Sequence, residues 1–85
     1  MSNHKIDPEH YFVLCNGAVL KNIKELAVIL DDLTEEEFTY HVNEEKNDFS
    51  NWMRGTLKAE NAAEKIAEIK DKKDMQIALF KHMIK

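Results

Sequence analysis

The residues best equipped for chemistry sit close together in mid-chain: Glu37, His41, Asp48 and Trp52, with Phe38, Val42 and Phe49 between them. A carboxylate one helical turn from an imidazole can fix the imidazole's tautomer, which both acid–base catalysis and metal ligation exploit. With Asp48 and the indole of Trp52 alongside, the four make a candidate ligand pocket. A plainer reading competes with it. Buried polar groups are hydrogen-bonded, so a His on the face of Phe38 and Val42 is expected to donate to a backbone carbonyl or a helix cap. Asp48, at a helix start, is expected to accept backbone N–H groups. The plainer reading is preferred, because no nucleophile–base pairing accompanies these residues.

A metal could in principle be held by Glu37, His41 and Glu44 or Glu45, which share one helix face. Carboxylate-bridged bundles, however, use Glu-x-x-His with matching ligands from other helices. Here the spacing is Glu-x-x-x-His and has no second copy. His4, His10 and His82 follow no zinc pattern, and the single Cys15 is too few. Cys15 reads as a small buried hydrophobe inside a strand. Ser50 lacks an elbow motif, and Gly17 and Gly55 stand too far apart for a phosphate loop. Neither a metal, a cofactor nor an enzymatic activity is expected.

Charge excludes further classes. Residues 1–53 carry four lysines against eleven acids, whereas residues 54–85 carry eight Lys or Arg against five acids. The two halves could face each other within one chain or across a dimer, but surface pairs are weak and the preferred reading is that the charges solvate helix faces. The basic half is no nucleic-acid surface: Glu60, Glu64, Glu68, Asp71 and Asp74 interleave with its lysines, and the sequence pI is about 5.5. No apolar run approaches the roughly 18 residues that span a bilayer, and the last helix is too weakly charged for membrane-surface binding. The first ten residues, MSNHKIDPEH, contain no apolar signal region. One Cys in 85 residues implies a reducing compartment. The expected setting is cytoplasmic.

Two Gly and one Pro leave little turn punctuation, so helices joined by short loops should dominate. Residues 1–9 read as a flexible lead-in and 10–85 as one compact domain. Asn16-Gly17 between His10–Cys15 and Ala18–Leu20 predicts a short type I′ hairpin. Helix starts are signalled at Asn22 with Glu25, at Thr34 with Glu37, at Asn47 or Asp48, at Asn61 and at Asp71. Gly55 is a plausible terminator for the third helix. The fold class is therefore mainly α: a small domain of four to five helices with a short N-terminal β-hairpin or extended segment. Phe12, Leu14, Leu26, Leu30, Phe38, Val42, Phe49, Trp52, Met53, Ile66 and Leu79 should form its core.

The last helix is apolar over too wide an arc. Met75, Leu79 and Met83 make one stripe and Ile77, Phe80 and Ile84 a second, covering about 200° of the wheel together. One stripe suffices to hold a helix to a core. Either the helix is buried in a groove between elements, or its outer stripe, Ile77, Phe80 and Ile84, is an interface with another chain.

Phe12 to Gly17, Leu20-Lys-Asn-Ile-Lys-Glu-Leu26, Phe38-Thr-Tyr-His-Val-Asn43 and Asn47-Asp-Phe-Ser-Asn-Trp52 together resemble a small prokaryotic domain family of unknown function. Its members show a Leu-x-x-Leu helix, a His in the next helix, then an Asp-Phe-x-x-Trp helix start. The resemblance spans residues 11–67 and departs at Ala62-Ala63, where similar sequences tend to have Leu-Ala. It implies a compact helical domain, found alone or appended to other proteins, and carries over no catalytic residue. The expected function is a small non-enzymatic protein-interaction or accessory module. It would bind a protein partner or itself, as a homodimer through the C-terminal helix. The alternative is a small-ligand or metal-binding domain using the His41/Asp48/Trp52 cluster.

Overall fold

The structure is a computed structural model that describes residues 8–84. A single 3-10 turn at Pro8–His10 leads into strands β1 (Phe12–Val13) and β2 (Val19–Leu20). Five helices follow: α1 (Ile23–Ile29), α2 (Glu35–His41), α3 (Asp48–Gly55), α4 (Glu60–Ile66) and α5 (Lys72–Met83). The protein is mainly α with a two-stranded antiparallel hairpin, as its composition and capping signals imply. Most of the 1–9 lead-in lies outside the described residues, as do His4 and Lys85.

The hairpin loop is one residue longer and differently turned than Asn-Gly suggests. Phe12 pairs with Leu20 and Val13 with Val19. Leu14 closes the loop twice, its N–H donating to Ala18 O and its carbonyl accepting from Gly17 N–H, both at 2.8 Å. Gly17 alone takes a left-handed φ, of 94°, while Asn16 does not. The connection is thus a three-residue Cys15-Asn16-Gly17 loop with glycine in the left-handed position, not a type I′ turn. Asn16 Oδ1 accepts the Ala18 N–H instead. Because the turn begins at Cys15, that residue is exposed rather than buried in a strand. Leu14 is the last inward side chain of the first arm.

The helix starts follow local chemistry. Asn22, Thr34, Asn47 and Asp71 each accept the N–H three residues on, and Glu37 returns the bond to Thr34 in a full capping box. The choice between Asn47 and Asp48 falls to Asn47. Its amide also donates to Ile66 O at the end of α4, so one side chain joins two helix ends. Helix α4 begins at Glu60 rather than Asn61, with no side-chain cap. Gly55 does not take a left-handed turn after α3; Lys58 does, at φ 60°, and Ala59 N–H then reaches Met53 O.

The core is continuous, from Leu14 and Leu20 through α1–α3 to Met75 and Leu79. Every expected member is buried except Phe12, whose ring is partly exposed against it. Ala62 and Ala63 let α4 lie close on α3, where Ser50 Oγ donates to Ala63 O. Two side chains of α5 tie it to the α1 side: Gln76 Nε2 donates to Ala27 O, and Lys72 Nζ to Leu33 O. Ala27 O is available because the chain tightens into a 3-10 turn at Leu30–Asp32. No helix among the described residues is long and apolar enough to cross a membrane.

Candidate functional site

His41 ends α2 and Asp48 begins α3, and the Asn43–Lys46 turn between them folds one back on the other. Asn43 N–H bonds to Lys46 O at 2.9 Å, closing that turn. The result is a 3.0 Å contact between His41 Nδ1 and Asp48 Oδ2, with Lys46 Nζ 3.1 Å from the same oxygen. His41 is only 4% exposed. Its second nitrogen, Nε2, lies 3.1 Å from the backbone N of Cys15 in the hairpin loop. A backbone amide can only donate, so Nε2 bears no hydrogen. The ring hydrogen is on Nδ1 and is donated to Asp48.

This geometry corrects three sequence expectations. His41 does not donate to a carbonyl; as in the helix-start alternative it donates to Asp48 at the beginning of α3, and its Nε2 accepts from an amide because the exposed hairpin loop passes over that side. Its carboxylate partner is Asp48, not Glu37, whose side chain is drawn away into the Thr34 capping box. Asp48 is not the cap of α3, since Asn47 already fills that place.

An aromatic group surrounds the imidazole. Phe12 stands edge-on to it at 5.2 Å, Phe49 is tilted at 5.3 Å, and Tyr40 covers another edge at 5.0 Å. Trp52 meets Phe12 at 5.5 Å and sends its Nε1–H to His10 O at 2.8 Å. The structure therefore brings His41 and Asp48 into contact, places Trp52 in the same aromatic cluster but bonded elsewhere, and leaves Glu37 apart.

Cys15, His41 and Asp48 appear in the order of a nucleophile, base and orienting acid, a grouping invisible in the sequence because 26 residues separate Cys15 from His41. The base, however, is engaged by the cysteine's own backbone. The thiol itself faces Glu37 O at 3.9 Å. With its lone pair occupied, Nε2 has no free site for a thiol proton. The arrangement fastens the hairpin loop, the end of α2 and the start of α3 to one ring. Among the described residues, no three His, Cys, Asp or Glu side chains converge where a metal ion could sit.

The second expected site behaves differently. Met75 and Leu79 are fully buried, whereas Ile77, Phe80 and Ile84 are 46%, 40% and 80% exposed. The outer stripe of α5 is partly exposed at Ile77 and Phe80 and mostly exposed at Ile84. Val19 and Val28, on β2 and α1, are also exposed, and the sequence pattern did not single them out. For Val28 the available signal was its position off the α1 stripe; for Val19 it was strand alternation beside the inward Leu20.

Residues 6–84 match the family model DUF5752, a family of unknown function, and the chain belongs to that family. The match is longer than the 11–67 stretch of resemblance and takes in α5. No curated protein and no solved structure matches the chain.

Proposed function

We propose that this family member is a small non-enzymatic interaction module that associates with a second copy of itself through the outer face of α5. The observation that carries this reading is the exposure of Ile77, Phe80 and Ile84 on a helix already anchored by its neighbouring stripe. Packing does not require apolar residues there, and contiguous exposed apolar side chains mark interaction surfaces. The small size of the core adds support, since an 85-residue chain buries a modest fraction of its surface alone. The same reading places the domain in a reducing, cytoplasmic setting, consistent with an exposed, unpaired Cys15.

The ligand-binding alternative finds less support. Both nitrogens of His41, the Asp48 oxygen nearest it, the Trp52 N–H and a Glu37 oxygen are each engaged by a neighbour within the chain. A ligand would have to displace these bonds rather than meet waiting groups.

Sedimentation velocity over a wide concentration range tests the proposal. The expected mass rises from that of the 9.9 kDa chain toward twice that value, and Phe80→Glu returns it to the monomer. A mass that stays monomeric at every concentration overturns it.

A further inference from the structure

On the strength of that self-association reading, we infer what the α5 ridge meets: a shallow groove between β2 and α1 of the second copy, in a reciprocal two-fold contact. The groove has a volume of about 530 Å³, with Val19, Leu20, Val28 and Ile29 in its lining and Glu25, Asp32 and the single cation Lys24 among its polar residues. Val28 is 54% and Val19 45% exposed, and Val13 continues the apolar surface as the cross-strand neighbour of Val19. The ridge offers Ile77, Phe80 and Ile84 at i, i+3 and i+7, the spacing with which an amphipathic helix enters a groove.

Ridge and groove belong to two helices, α5 and α1, that meet along one seam. The start of α5 is fastened to the end of α1 by Gln76 and Ala27, and Asp31 and Lys73 line the crevice between them. One turn back from Asp31 stands Val28; one turn on from Lys73 stands Ile77. A two-fold axis through such a seam lays each copy's ridge over the other's groove, and the contact closes at two copies. It also buries two strips of apolar surface instead of one.

Charge favours this pairing over α5 against α5. The groove is acidic on balance, with Glu25 and Asp32 against Lys24, while Lys73 and Lys81 accompany the ridge. The minority charges match as well, Lys24 on the α1 side with Asp74 on the α5 side. Pairing α5 with itself, Ile77 against a second copy's Ile84, sets the two Lys81 side chains beside each other near the axis.

A charge swap at two exposed positions tests the fit. Val28→Lys and Phe80→Glu, each made singly, should weaken dimerisation about tenfold or more, since each puts a charge opposite an apolar surface. The double variant sets the introduced carboxylate on α5 of one copy opposite the introduced ammonium on α1 of the other, and should recover most of the loss. Far-UV circular dichroism confirms that each variant stays folded. If Phe80→Glu weakens dimerisation while Val28→Lys leaves it unchanged, α5 self-association stands and the groove is not its partner. Assemblies that grow beyond two copies also overturn the closed reciprocal contact. If the native chain never associates, the groove assignment falls together with the self-association reading.

Discussion

The hairpin–α2–α3 end and the α1–α5 side of this domain use their conspicuous side chains in opposite ways. At the first, polar groups with catalytic potential are drawn inward and bonded to each other: His41 to Cys15 N–H and Asp48, Trp52 to His10 O. At the second, apolar groups suited to a core stay outside: Val28, Ile77, Phe80 and Ile84. A residue type alone identifies neither a site nor a core. A polar group with its hydrogen bonds made is a fastener. An apolar group left in water, on an element that is already held, is the stronger pointer to a partner.

The contrast would fail if the aromatic end could be weakened without unfolding the domain. Phe49 is fully buried and touches Phe12, Phe38 and His41. Phe49→Ala should cost about 3–5 kcal/mol, a large part of the stability of a small domain. Urea unfolding measures this through a lowered midpoint. His41→Ala should follow at about 2–3 kcal/mol, leaving Cys15 N–H without its acceptor and Asp48 with Lys46 alone. Asp48→Asn sharpens the distinction. An Asn can present its carbonyl to His41 Nδ1–H, so only the partly exposed Lys46 attraction is lost, and the change should stay below about 1 kcal/mol. In a working acid–base dyad the same substitution would be the damaging one.

The helix starts of both regions were legible from sequence because their signals are local. Thr34 with Glu37, Asn22 with Glu25 and Asp71 with Asp74 each act over three residues, and side-chain inventory alone predicts their bonds. The burial of Phe38, His41 and Val42 followed from helical spacing in the same way. What stayed hidden depends on long-range approach. Nothing near Cys15 says that its amide will meet an imidazole 26 residues away, or that Gln76 will cap Ala27 from 49 residues off. The Asn16-Gly17 signal pointed to the right loop but the wrong turn, since the choice was made by Leu14 pairing with Ala18. On the other side, the excess width of the α5 stripe was readable. Its neighbour groove was not, because Val19 and Val28 come from different elements.

A smaller effect probes the edge of the aromatic cluster. Trp52→Phe keeps most of the packed ring but removes the N–H that holds His10 O. The expected loss is about 1 kcal/mol, and it should be accompanied by faster amide exchange where the chain enters β1. If exchange there is unchanged, the indole serves only as filling, and the bond to His10 is dispensable.

The smallest expected effect on stability is also the one that separates the two regions most sharply. Phe80 is as large as Phe49, yet it is 40% exposed and stands beside the stripe that holds α5. Under conditions where the chain is monomeric, Phe80→Glu should shift the unfolding free energy by no more than about 0.5 kcal/mol. Where the chain associates, the native protein should gain stability with concentration, because a dimer draws the folding equilibrium toward itself. The variant should show no such gain. A concentration-dependent urea midpoint for the native chain, alongside a flat one for Phe80→Glu, would tie the exposed phenylalanine to association rather than to the fold. A large loss in the dilute monomer would instead make Phe80 part of the core's support and remove the asymmetry between the two sides.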